Sequence, residues 1–173
     1  MGYTHYWRQL RDFTDSEWNE LARLTRLITE GWPARNLTAA LDPAEFNIDN
    51  EEIRFNGIGE NGHETFILTK KKRAKDDYDM SYDRQGALGF CKTARKPYDK
   101  YVVAVLCALY TMDNNKSIIS EITSDGRAED WNEGLEYAVR STRQLHMTCP
   151  ILNSVSLSYL DYLDQKLIKE STG

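Results

Sequence analysis

The densest chemistry-bearing stretch of the chain is Phe90-Cys91-Lys92-Thr93-Ala94-Arg95-Lys96-Pro97-Tyr98-Asp99. Pro97 stands where a first helical residue would, a position at which its missing N–H costs nothing. The apolar run behind it predicts a helix over Tyr98 to Met112. The amino end of a helix carries roughly half a positive charge and unpaired N–H groups, so it favours acids. Here Lys92, Arg95 and Lys96 stand just ahead of that end, and only Asp99 offsets them. A local rule broken this way marks a candidate site. A bound anion would resolve the conflict, with backbone donors and three cations converging on one phosphate or carboxylate. Thr93 would add a hydroxyl, and Tyr98 lies at the same mouth. The competing reading has the cations splayed into water or paired with surface acids.

The opening Tyr3-Thr4-His5-Tyr6-Trp7-Arg8 offers stacking planes and donors of the kind that grip a base or ribose. On an alternating strand Tyr3, His5 and Trp7 share one face, and Thr4, Tyr6 and Arg8 the other. One set belongs to the core. The other use of the histidine face is as a pocket wall.

The three histidines suggest an enzymatic alternative. Two of them head His-x-Thr, as His63-Glu64-Thr65 and His146-Met147-Thr148, a pattern that resembles the two-histidine phosphoesterases. The resemblance implies one imidazole as general base and the other as general acid across a phosphodiester, with Thr65 and Thr148 holding the phosphate. Leu145 supplies the apolar residue that such motifs carry before the histidine, whereas Gly62 does not. Pro150 is poor context for a central strand. Cys91 beside Lys92 has the makings of an activated thiolate, against the plainer reading of a buried strand cysteine. Gly57-x-Gly59-x-x-Gly62 has dinucleotide-fingerprint spacing but sits between two predicted strands rather than between a strand and a helix. No Walker motif and no zinc spacing is present, so no cofactor and no metal is expected. Ser124-Asp125-Gly126 reads as a turn and helix cap.

These residues need elements to position them. Gly2 to Arg8 alternates like a strand. Thr14 and Glu17 form a capping box, and the helix they open carries Trp18, Leu21, Ala22, Leu24 and Ile28 on one side and stops at Gly31. Residues 32 to 50 are a connection with one short turn at Leu37 to Leu41. Ile53 to Asn56 and Thr65 to Thr69 read as a hairpin across the glycine loop. Lys70 to Gly86, almost wholly charged or polar, reads as a mobile connection. A strand near Leu88 to Lys92 precedes the Tyr98 helix, whose apolar residues on all sides make it the central buried one. Ser117 to Thr123 is a strand. Trp131, Leu135, Ala138 and Val139 mark one further helix, and Leu157, Leu160, Leu163, Leu167 and Ile168 another over Ser154 to Glu170. The expected class is α+β: one domain, a mostly antiparallel sheet, a central buried helix and amphipathic helices packed on it.

Length and charge narrow the functions. At 173 residues the chain is one domain's worth, and a net charge of -5 disfavours binding to bulk nucleic acid. The longest apolar run, Tyr101 to Tyr110, is ten residues, far short of the ~20 a membrane helix needs. Residues 1 to 30 lack the apolar core of a signal peptide. Three widely spaced cysteines fit reduced thiols better than a disulfide framework, so a cytoplasmic protein is expected.

Several blocks together carry a wider likeness: Met-Gly-Tyr-Thr-His-Tyr-Trp at the start, Phe-Asn-Gly-x-Gly with His-Glu-Thr-Phe, Phe-Cys-Lys-Thr-Ala-Arg-Lys-Pro-Tyr-Asp, and Ser-Asp-Gly. Spread from Met1 to about Trp131, they resemble a family of small proteins of tailed bacteriophages and prophages. The family carries no assigned activity, so the resemblance implies a setting rather than a reaction. Small accessory phage proteins often counter host defence, and sponges do so by sequestering nucleotide second messengers without cleaving them. The leading expectation is therefore a phage-encoded protein of the host cytoplasm that holds a small phosphorylated ligand, a nucleotide first among them. Lys92, Thr93, Arg95, Lys96 and Tyr98 would bind it together with Tyr3, His5, Trp7 and His63. Self-association is left open. The rivals are phosphodiester hydrolysis by His63 and His146, and a protein–protein inhibitor of a host defence effector.

Overall fold

In a computed structural model the chain is described over residues 2–30, 41–80, 82–151, 168, 169, 171 and 172. The opening aromatics form β1 (Thr4–Gln9), with Tyr3, His5, Trp7 and Gln9 turned inward. The helix α1 (Asp15–Glu30) starts at the expected capping box. The Glu17 N–H donates to Thr14 Oγ1 at 3.2 Å, and the Thr14 N–H donates to Glu17 Oε1 at 2.8 Å. Its Trp18, Leu21, Leu24 and Ile28 are buried, each side chain worth about 1.5–3 kcal/mol relative to exposure.

A small antiparallel sheet follows, in the order β2 (Asn47–Ile48), β3 (Glu52–Phe55), β4 (Phe66–Thr69). β3 and β4 are the expected hairpin. Asn56 ties its loop, accepting the Gly57 and His63 N–H groups at 2.8 and 3.1 Å and donating to the His63 carbonyl at 3.0 Å. The glycines serve close approach: a Cβ on Gly57 would lie 2.2 Å from the Asn61 carbonyl oxygen. They build a turn, not a phosphate loop.

The charged stretch beyond β4 folds back on itself around one helical turn, α2 (Tyr82–Gln85). Lys72 sits 4.0 Å over the Tyr82 ring, and the Tyr82 hydroxyl donates to the Arg73 carbonyl at 2.6 Å. Next come β5 (Ala87–Lys92), α3 (Asp99–Met112), β6 (Ile119–Ser124) and α4 (Asn132–Thr142). β1 is the middle strand of a second antiparallel sheet, β5-β1-β6, so that His5 lies opposite both Cys91 and Ser124. The class is α+β, with α3 at its centre. Val102 to Leu109 are all buried, packed against α1 and α4. Gly134 brings α4 so close that a Cβ there would lie 2.3 Å from Val103 Cγ1.

Three expectations shift. α3 begins at Asp99, two residues after Pro97, because Ala94 and Arg95 take left-handed φ values of 50° and 57° and close a turn first. The two-residue strand β2 falls within the stretch read as a plain connection. The helix over Ser154 to Glu170 lies almost wholly outside the described residues, and Ile168, which the pattern turns inward, is exposed. The end of α1 at Gly31 and most of the turn at Leu37 to Leu41 also lie outside the described residues. Among the described residues no helix is long and apolar enough to cross a membrane.

Candidate functional site

The mouth of α3 gathers residues from four distant parts of the chain. β1 carries His5 to the centre of the sheet, where it has no exposed surface. Its Nε2 lies 2.7 Å from Asp99 Oδ1 and its Nδ1 2.9 Å from Ser124 Oγ. The Thr93 hydroxyl donates to the same Asp99 oxygen at 2.5 Å. Tyr3 and Trp131 close the two sides of the imidazole, each edge-on with centroids 5.0 Å away. An ionised carboxylate only accepts, which places an imidazole proton on Nε2, with Nδ1 hydrogen-bonded to the serine hydroxyl.

Serine, imidazole and carboxylate in sequence are the parts of a hydrolase triad. The surroundings argue for structure instead. An imidazole sealed between two rings cannot hand a proton to a leaving group, and Ser124 Oγ already accepts the Gly126 N–H at 2.9 Å. The Ser124–His5–Asp99–Thr93 chain locks β6, β1, the Thr93 turn and the start of α3 together.

Outside this lock lies a pocket of about 240 Å³, lined by Tyr3, Arg95, Lys96, Lys100, Asp130 and Glu133 among others. The Arg95 guanidinium carbon lies 4.0 Å from the centre of the Tyr3 ring, and Arg95 donates to Asp130 Oδ1 at 3.1 Å. The Asp130 carboxyl is held below its ordinary range, first by the Arg127 N–H and then by Arg95. Tyr3 is pushed up to about 12, mainly by burial and next by the Asp99 and Asp130 charges, so it stays a neutral phenol. Its buried hydroxyl finds no well-formed hydrogen bond, with Ser124 nearby.

The expected site residues divide accordingly. Arg95, Lys96 and Tyr3 meet at the pocket. His5 and Thr93 sit behind it and are spent on Asp99. Tyr98 is buried, its hydroxyl donating to the Glu64 carbonyl, and burial pushes the phenol well above its ordinary value. Trp7 is a core residue, with its ring against Gly89 and 5.3 Å from Phe66. Lys92 faces Glu64 through its backbone, and its side chain packs against Gly2. His63 is exposed on the hairpin loop, and Thr65 there donates to Glu45 at 3.0 Å. His146 lines a shallow pocket with Thr111, Arg143, Gln144 and Leu145, a group that includes neither His63 nor Thr148. Thr148 instead donates its N–H to Thr111 at 3.0 Å.

Cys91 is fully buried. Desolvation above all pushes its thiol up to about 12, so the thiolate reading has no support. Among the described residues no cluster of His, Cys, Asp and Glu could hold a metal ion. Sequence reasoning missed Lys100, Asp130 and Glu133 at the pocket, and the partnership of His5 with Ser124 and Asp99. Those partners are 119 and 94 residues away, beyond any local pattern. No protein-family model, curated protein or solved structure matches the chain.

Proposed function

We propose that this is a phage-encoded binding protein of the host cytoplasm that holds a small phosphorylated ligand at the mouth of α3. The observation that carries this reading is the convergence of Arg95, Lys96 and Lys100 on one pocket of about 240 Å³ at the amino end of a buried helix. Two of its three acids are occupied: Asp99 by His5 and Thr93, Asp130 by Arg95 and the Arg127 N–H. Lys96 and Lys100 make no ion pair with a described residue. The volume suits a phosphoryl group and part of its sugar. A nucleotide would extend over the exposed Arg95 guanidinium, which offers a stacking plane. The phage resemblance supplies the setting, sequestration of a nucleotide signal that serves host defence. Holding fits better than cleaving, because the one imidazole at the site is sealed.

The test is titration of the purified chain with inorganic phosphate and then with mono-, di- and cyclic nucleotides, read by calorimetry and mass spectrometry. Intact recovery of a bound nucleotide is expected, weakened about ten-fold or more by Arg95→Ala and rescued only in part by Arg95→Lys. Binding unmoved by Arg95→Ala combined with Lys96→Ala would overturn this site, and recovery of a cleaved product would overturn the holding function.

A further inference from the structure

The two sheets meet at Glu64 and again where Gln9 Nε2 of β1 donates to the Thr69 and Lys70 carbonyls at 3.3 and 3.4 Å. Glu64 joins them: its N–H donates to the Lys92 carbonyl at 3.2 Å, and its Oε2 accepts the Lys92 N–H at 2.8 Å. From there β4 and β5 diverge, and a groove of about 870 Å³ opens between them. Its floor is Trp7, which passes so close beneath β5 that a Cβ on Gly89 would lie 2.3 Å from the indole. Phe13 extends the floor, and Ile67 and Phe90 stand on the walls, 39% and 56% exposed.

The backbone of both walls is turned into this groove. A paired strand directs its N–H and C=O groups alternately to either side. Lys92 points both away from β1, so Phe90 and Leu88, two and four residues earlier on β5, do the same. On the other wall the Lys70 N–H donates to the Glu51 carbonyl beside β3. Leu68 and Phe66 therefore face β3, while Ile67 and Thr69 face the groove, where Gln9 Nε2 reaches the Thr69 carbonyl at 3.3 Å. β4 and β5 are edge strands, and no ladder joins them. Between Glu64 and the Gln9 contact with Thr69, two edges that no ladder joins, over an apolar floor, form a template for a further strand.

Charge gives the occupant its character. Lys70, Lys71, Lys72 and Arg73 line the groove together with Asp12, Glu51 and Glu52. Lys70 pairs with Asp15, Arg73 with Asp76 and Glu52 with Arg54, and Asp12 accepts the Lys72 N–H. Lys71 and Lys72 remain without a carboxylate among the described residues. We propose that the groove takes an extended segment of a partner protein by strand addition, bridging β4 and β5 into one sheet. That segment is apolar at alternate positions, to cover the exposed Ile67 and Phe90, and carries carboxylates where it passes Lys71 and Lys72. A small ligand cannot supply donors and acceptors at strand spacing along both walls.

The experiment is selection of displayed random short peptides on the full chain, followed by amide exchange with a selected peptide bound. Enriched sequences should alternate apolar and polar residues and end in acids. The Ile67, Leu88 and Phe90 amides should exchange about ten-fold or more slowly in the complex. Phe90→Pro removes a donor that faces the groove and none that serves β1, and it should abolish binding. Lys71→Glu, at an exposed side chain without an ion pair among the described residues, should weaken it about five-fold or more. Failure to enrich any peptide, or binding that leaves those amides and both variants unaffected, would overturn the proposal. Protection of the same amides in the free chain that grows with its own concentration would also overturn it, by assigning the groove to a second copy.

Discussion

The mouth of α3 and the groove between β4 and β5 are built on opposite terms. At the mouth, the buried histidine and two of the acids are already paired: His5 uses both ring nitrogens, Asp99 accepts twice and Asp130 is held from two sides, while Lys96 and Lys100 stay without an ion pair among the described residues. In the groove, side chains of little intrinsic chemistry, Ile67, Leu88 and Phe90, leave backbone groups and apolar surface unmatched. Residue type is therefore a poor guide to openness. Polar side chains drawn into the interior must be satisfied there, because each unpaired one costs about 1–3 kcal/mol. An edge strand facing water carries no such penalty and stays available.

The sharpest way to break this contrast is Asp99→Ala. It strips the acceptor from the buried His5 Nε2–H and from the Thr93 hydroxyl together. Two orphaned groups should lower stability by about 2–5 kcal/mol, read as a shift in the urea midpoint. Asp99→Asn keeps one acceptor and should lose less. A loss below about 0.5 kcal/mol for Asp99→Ala would mean that the lock is not closed in solution.

Much of the fold is written in local pattern. The capping box at Thr14 and Glu17, the hairpin around Gly57 to Gly62 and the all-round apolar Tyr101 to Leu109 each follow from spacing alone. The site is less legible. The cation cluster at Arg95 and Lys96 points to the amino end of α3, where a pocket lies, yet Thr93 and Tyr98 beside it turn inward. Their destinations, Asp99 and Glu64, are set by how the Thr93 turn crosses the sheet. Trp7 looks like a ligand-stacking residue because aromatic alternation is the same whether a strand faces core or pocket. The groove has no sequence signature at all: it exists because β4 and β5 belong to different sheets, which is a fact of topology.

Cys91 tests the boundary between the two regions, since β5 serves both. Its thiol is pushed up to about 12, against an ordinary 9.0. Below pH 9 both folded and unfolded chains keep the proton, and its contribution to stability is whole. Above it the unfolded chain ionises first, so stability falls as pH rises towards 12. Cys107 and Tyr98 shift the same way and add to the slope. Cys91→Ala should flatten the alkaline limb in part, and in the native parent an alkylating reagent should reach Cys91 only through unfolding. Rapid alkylation of the folded chain would show that β5 opens on the side of the groove.

The smallest effect is expected where the groove is most open. Ile67→Thr and Phe90→Thr each replace an exposed apolar side chain by a β-branched one that suits a strand equally well. Little buried area is lost, and the backbone groups of both positions face away from β3 and β1. Each variant should therefore stay within about 0.5 kcal/mol of the parent in a denaturant titration. The contrast with Asp99→Ala is the point of the measurement, because a side chain that supports only an unoccupied surface has nothing to lose on truncation. A cost above about 1.5 kcal/mol at either position would mean that the walls already pack against something in the free chain. In that case β4 and β5 close on each other in solution, and the edge available to a partner strand shrinks to the stretch near Leu88.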